Sequence, residues 1–410
     1  MNQVAGPAPL VPGDGAYRRT TVALFLAGLV TFATLYCTQP LLPMLGQVFG
    51  ISPAQTALSV SATTVTLGLA LLFLGPVSDA VGRTNIMLTS LFASGLVTLA
   101  SAASPSWPVL LVLRAVLGIC VAGLPAVAVA YLREEIAPGA AGRATGLYIG
   151  GTALGGMAGR LLTGALADLF GWRWAIAGIG LLALACAVVV HRLLPRSRFF
   201  VAQPLSPTEL TAKTLRLLRD PVQLALMTLS FCAMGAFVAG FNAMGFRLEA
   251  PPYRLGVGLA GTVFLVYAFG SWSSARAGRF AEGHGPAKVA LGGLALQLAG
   301  ICVTAAEPLP LVVLGLALTT IGFFAAHGVA SGWVAAHAAR QGLGTGQAAS
   351  LYLFAYYLGS SVAGTAAGWA WSGWRWPGVA VLTGALVLLT VPAVALAGAS
   401  TARGGADGGR

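Results

Sequence analysis

Two arginines sit inside long apolar runs, Arg114 in LRAVLGICVAG and Arg160 in GGMAGRLLTG. A guanidinium there can hold an anion, cap unpaired carbonyls or serve a proton relay, because a bare charge at mid-bilayer costs about 2.5–3.5 kcal/mol. No Asp or Glu lies well inside any apolar run, so neither arginine has an obvious counter-ion at its own depth. Arg160 has one alternative, Asp168, two helical turns away. His327, in AAHGVASGW, is the one imidazole within an apolar run, and imidazole is the side chain type whose ordinary titration range suits a proton carrier. The four histidines (191, 284, 327 and 337) show no metal-ligand or nucleophile–base spacing. The five cysteines (37, 120, 186, 232 and 302) form no CxxC pair and read as small buried hydrophobes. No nucleotide-binding motif is present. No enzyme, no cofactor and no metal site is expected.

The elements that must position these groups follow from composition. Of 410 residues, 57% are hydrophobic and 8% charged, and the mean hydropathy is +0.84. A soluble domain carries roughly a quarter charged residues. The period-2 pattern of a barrel is missing, so the fold class is all-α, polytopic and membrane-embedded. Twelve spans fit the apolar runs, near 21–44, 55–77, 85–103, 108–131, 143–168, 174–193, 221–245, 255–276, 287–305, 310–335, 345–369 and 375–398. The domains are then an N-terminal tail (1–20), a six-helix bundle (21–193), a polar linker (194–219), a second six-helix bundle (220–398) and a C-terminal tail (399–410). The apolar run after the Pro/Gly-rich tail is too long for a signal-peptide core, so no cleavage is expected.

Charge sets the orientation. The net charge is +12. With the N-terminus inside, seventeen of the 23 basic residues fall on inside segments. Basic residues collect in cytoplasmic loops, which puts both termini in the cytoplasm of an inner-membrane protein. No basic run is interleaved with aromatics, so nucleic acid is not an expected partner. The partners are the bilayer, a small molecule and a coupling ion, and a monomer suffices.

The halves repeat. Gly75, Asp79 and Gly82 recur as Gly278, Glu282 and Gly285, and GWRW recurs at 171–174 and 373–376. Gly142, Leu147, Tyr148 and Gly155 match Gly346, Leu351, Tyr352 and Gly359. The shifts are all near 203 residues. Six spans return the chain to its starting side, so the repeats are parallel, with a site expected at the midplane between them. Leu318 and Gly364 hold the places of Arg114 and Arg160 in the second copy, so neither arginine is a repeated requirement of the fold.

Residues 75–83 read GPVSDAVGR. This inside loop between spans 2 and 3 resembles the Gly-x-x-x-Asp-x-x-Gly-Arg motif of the major facilitator superfamily, through Gly75, Asp79, Gly82 and Arg83. The second copy is weakened, with Glu282 for Asp79 and Pro286 for Arg83. YCTQPLLP (36–43), GGMAGRLLTG (155–164) and NAMGFRL (242–248) resemble the YnfM-like group of exporters. The resemblance implies a conformational latch at Gly75, Asp79, Gly82, Arg83 and Glu282. Asp79 can face the start of span 11 near Gly346, and Arg83 can pair with Glu134 or Glu135. Spans 1, 4, 7 and 10 line the cavity in this superfamily, which implies a substrate or proton pathway through Tyr36, Gln39, Arg114, Arg160, Asn242, His327 and Trp333.

The expected function is secondary transport by alternating access, as proton-coupled export of a small organic molecule. The alternatives are a uniporter or importer of a sugar or organic anion, a passive channel or an intramembrane enzyme. Two arginines without intramembrane acids favour an anionic or neutral polar substrate.

Overall fold

The computed structural model describes residues 8–202 and 206–407. Helix α1 (Gly15–Tyr36) passes through a 3₁₀ turn at Gln39–Leu41 into α2 (Leu42–Phe49). The pause falls at Pro40, which has no N–H and whose ring clashes with the preceding turn. Next come α3 (Pro53–Val81), α4 (Arg83–Ala102), α5 (Trp107–Val121), α6 (Gly123–Glu135) and α7 (Pro138–Leu193). Helix α8 (Pro207–Leu217) lies in the segment expected to be only a polar linker. Ser206 caps it by accepting from the Glu209 N–H. The second half holds α9 (Pro221–Glu249), α10 (Val257–Gly261), a 3₁₀ stretch (Thr262–Tyr267), α11 (Ala268–His284), α12 (Pro286–Val303), α13 (Leu309–Arg340) and α14 (Thr345–Asp407).

Among the described residues, ten segments are long and apolar enough to cross a membrane. The difference from twelve lies in α7 and α14, each with a 56-residue apolar stretch. Drawn straight, such a helix would run about 84 Å, roughly twice a bilayer. Both are broken where GWRW stands, α7 at Gly171 and α14 at Trp374 and Arg375. Beyond the break α7 folds back on itself. A Cβ on Gly178 would sit 2.8 Å from the Leu166 side chain, which a straight helix holds about 18 Å away. Helix α14 bends likewise, with a Cβ on Gly378 lying 2.8 Å from the Ala370 carbonyl.

The repeat is visible in the backbone. Gly82 (φ 108°) joins α3 to α4, and Gly285 (φ 82°) joins α11 to α12. Both need a positive φ that glycine adopts without strain. These two joints lie on the face that also carries α8, called here the linker face.

Two seams join the halves, α3 against α14 and α7 against α10. Both are packed at the far face. A Cβ on Gly368 would lie 2.3 Å from the Ala54 nitrogen, and one on Gly164 would lie 3.2 Å from the Val257 carbonyl. Deeper in, Ser61 Oγ donates to the Ser361 carbonyl at 2.9 Å, and Ser361 Oγ returns a bond to the Ser61 carbonyl at 3.1 Å. At mid-depth, Gly68 abuts Tyr357. Helical periodicity carries the same face of α3 on to Gly75 and Asp79, and that of α7 on to Gly150, Gly146 and Gly142. A Cβ at any of these four glycines would meet open space. The halves therefore part toward the linker face and close toward the far face.

Candidate functional site

Where the seams stop, a short chain of polar side chains crosses between the halves. Arg160 on α7 donates through Nε to Gln39 Oε1 at 2.5 Å. Gln39 in turn donates through Nε2 to Asn242 Oδ1 on α9 at 2.7 Å. Asn242 Nδ2 points at the Gly364 carbonyl on α14, 3.5 Å away. Gln39 and Asn242 are 203 residues apart, the period of the repeat, and 160 and 364 are 204 apart. Equivalent positions of the two halves thus meet at the pseudo-two-fold axis. Gly364 leaves room for this, since a Cβ there would lie 2.9 Å from Asn242 Nδ2.

Arg160 is 2% exposed. It also donates through Nη1 to the Gly156 carbonyl of its own helix. Its guanidinium carbon lies 4.1 Å from the Tyr36 ring centre, 4.8 Å from Tyr267 and 5.0 Å from Phe264. The ring quadrupoles offset part of the desolvation cost of the cation. Asp168 does not pair with Arg160. Its Oδ2 accepts from the Gly258 N–H at 2.8 Å, across the far-face seam.

A wall of rings extends from Tyr267 into the second half. Phe237 stacks on Phe323 at 4.3 Å, and Phe323 stacks on His327 at 5.6 Å. His327 Nδ1 shares a 2.9 Å hydrogen bond with the Tyr352 hydroxyl. His327 and Tyr356 are only partly buried, with ring centres 4.8 Å apart.

Arg114 occupies a different setting. It is fully buried within the first half. Its donors reach the Ser59 carbonyl (2.9 Å), the Thr34 carbonyl (3.1 Å), the Leu35 carbonyl (2.6 Å) and Cys37 Sγ (3.5 Å). The break at Pro40 leaves the last carbonyls of α1 without their usual donors, and Arg114 supplies them.

At the linker face, Arg83 pairs with Asp79 one turn back and with Glu134 at 2.7 Å. It also donates to Ser78 Oγ at 2.6 Å. All four residues belong to the first half. Glu135 pairs instead with Arg198 and accepts from the Phe199 N–H. Asp79 does not reach Gly346, consistent with halves that are parted here.

The chain as a whole is similar to known proteins. The family model described as Major Facilitator Superfamily matches residues 24–276. The chain belongs to the major facilitator superfamily. It is 42% identical to the inner membrane transport protein YnfM of Escherichia coli (strain K12) over 361 residues, 87% of this chain and 85% of that protein. It is 40% identical to the uncharacterized MFS-type transporter YybF of Bacillus subtilis (strain 168), covering 87% of each. Its fold resembles a bacterial homologue of the human lysosomal transporter Spinster in an inward-facing, occupied conformation, with a TM-score of 0.75, 15% identity and 95% and 98% of the two chains covered. The likeness to solved structures speaks for the fold alone. Membership makes the chain a membrane transporter and not an enzyme.

Within the superfamily fold, the structure brings Tyr36, Gln39, Arg160 and Asn242 into one cluster, with His327 further along the ring wall. Trp333 lies elsewhere, in a cleft of about 410 Å³ near the linker face together with Glu282 and Arg340. Arg114 is on the first-half side, behind α1. The sequence reading did not single out Phe264, Tyr267 or the Ser61–Ser361 pair, and it named Gly364 only as the repeat counterpart of Arg160. The ring partners were not traceable, because a Phe or Tyr in an apolar span reads as packing until a cation is seen above it.

Proposed function

We propose that this superfamily member is a secondary active transporter of a bacterial inner membrane, with twelve crossings and both termini cytoplasmic. It exports a small organic molecule in exchange for protons by alternating access. The observation that carries this reading is the Arg160–Gln39–Asn242 chain, set where two far-face seams end and the halves begin to part. A site held by both halves and reached from one face at a time is what rocking exchange requires. The linker face, open here, is the cytoplasmic one on the basic-residue count. The Asp79–Arg83–Glu134 group and Glu282 form the latch that meets the opposite half when this face closes. His327, within the ring wall and bonded to Tyr352, carries the proton, and Arg114 holds α1 in the shape that presents Gln39.

Everted vesicles with a preformed proton gradient and a lumenal pH dye test this. Adding substrate should dissipate the gradient, and His327→Phe should abolish that dissipation while substrate still raises the protein's melting temperature. Gradient-independent flux of the same compound through the intact protein would replace antiport with uniport.

A further inference from the structure

We propose that the transported molecule is an organic monoanion with a flat apolar body, its charge held by Arg160 and its body laid against the ring wall. This rests on the transport reading and names the chemistry of that same central site.

The first argument is an unbalanced charge. All eleven carboxylates of the chain stand at helix ends or in loops and linkers. Among the described residues none pairs with Arg160, and Asp168 is held by the Gly258 N–H. A nearly buried guanidinium with only amide, carbonyl and ring partners is a standing cost that an anion would relieve.

The second is unused donors. Guanidinium carries five N–H groups in a planar fork. Nε serves Gln39 and one Nη1 hydrogen serves Gly156, while no acceptor for Nη2 is found among the described residues. The remaining edge suits the two oxygens of a carboxylate.

The third is the lining. A sugar needs many polar partners, yet Gln39 and Asn242 are bonded to each other, and the surfaces beyond them are rings. Phe32 beside Tyr36, Phe324 beside Tyr267 and Tyr356 beside His327 are partly exposed and offer area for a flat apolar group to stack. A cation would sit against Arg160 with no acid to hold it, and its binding is disfavoured.

The test uses the full-length protein in lipid nanodiscs, titrated with benzoate, 2-naphthoate, benzamide, benzylamine and acetate by isothermal calorimetry. The two aromatic carboxylates should bind more tightly than the neutral amide, the amine and the ringless acetate. Arg160→Gln should weaken 2-naphthoate by about 30-fold or more, the scale of losing one partner of a desolvated charge pair. Benzamide should be unaffected. Arg160→Lys, which keeps the charge and loses the fork, should fall between. No binding of either carboxylate, or benzylamine or benzamide matching them, overturns the proposal. So does an Arg160→Gln protein of unchanged melting temperature that binds 2-naphthoate normally. If that variant does not fold, the comparison of 2-naphthoate with benzamide on the wild-type protein decides alone. Proteoliposome counterflow separates the two readings. Tight binding of 2-naphthoate without counterflow sinks transport of this class and leaves the site, whereas counterflow of benzylamine sinks the class and leaves transport.

Discussion

Arg114 and Arg160 look alike in the sequence, as single cations in apolar runs without acids nearby. Their surroundings separate them. Arg114 spends its donors on the carbonyls of Ser59, Thr34 and Leu35, whereas Arg160 meets one amide, one carbonyl and three rings. Removing Arg114 leaves the Leu35 carbonyl unpaired, while the Ser59 and Thr34 carbonyls keep Thr63 Oγ1 and Cys37 Sγ as donors. Arg114→Met should therefore cost about 1–3 kcal/mol, seen as a drop in the melting temperature of the purified protein. Arg160→Gln removes an uncompensated buried charge, so its melting temperature should stay level or rise. Equal losses in the two variants would mean that Arg160 is also a structural clamp. The sequence showed both arginines and their depth, but the expected span 21–44 carried no break at Pro40. It could not show that the carbonyls freed by that break point at position 114, because that depends on how α5 packs behind α1.

At the scale of elements, the helices were legible wherever a single apolar run is bounded by proline or glycine. The expected span 85–103 appears as Arg83–Ala102, and 287–305 as Pro286–Val303. Helix α8 was missed because 194–219 was read by polar composition, although Leu210, Leu217 and the Ser206 cap follow helical rules. What composition also concealed is which glycines are contacts. A Cβ on Gly155 would lie 2.0 Å from the Leu29 carbonyl, and one on Gly359 would lie 2.0 Å from the Phe231 carbonyl, 204 residues later. These are the crossings of α7 on α1 and of α14 on α9, and backbone cannot yield as a side chain can. Overpacking costs about 1–3 kcal/mol or more. Gly155→Val and Gly359→Val should each cut the yield of monodisperse protein on size exclusion. Gly150→Val, at a position facing open space, should leave it unchanged. A normal elution profile for both of the first two variants would show that these helices cross less closely.

For the whole molecule, the repeat gives two copies of one bundle, and the unlike residues at equivalent positions make it a machine with a direction. Gln39 meets Asn242 at the axis, but the counterpart of Arg160 is Gly364, so the charge sits on one half and the other half leaves room for Asn242 instead. The first-half joint carries Arg83, tied to Asp79 and Glu134. Its counterpart carries Pro286, beside a cleft where Glu282 and Arg340 remain. The halves can part at the linker face because nothing there among the described residues replaces the far-face contacts of Ala54 with Gly368 and of Asp168 with Gly258. Those contacts must open when the site is offered to the other side. A crosslink across the far seam should therefore arrest the cycle in the state described here. Gly164→Cys places its Cβ within disulfide reach of position 258, given the 3.4 Å from that Cβ to the Gly258 Cα. In a background lacking the native cysteines, Gly164→Cys with Gly258→Cys should lose transport on oxidation and recover it with reductant. A maleimide should still label a cysteine placed at Gly146 from the linker side of the oxidised protein. Full transport by the quantitatively crosslinked protein would mean that the far seam need not open, and alternation between the two faces would have to be abandoned.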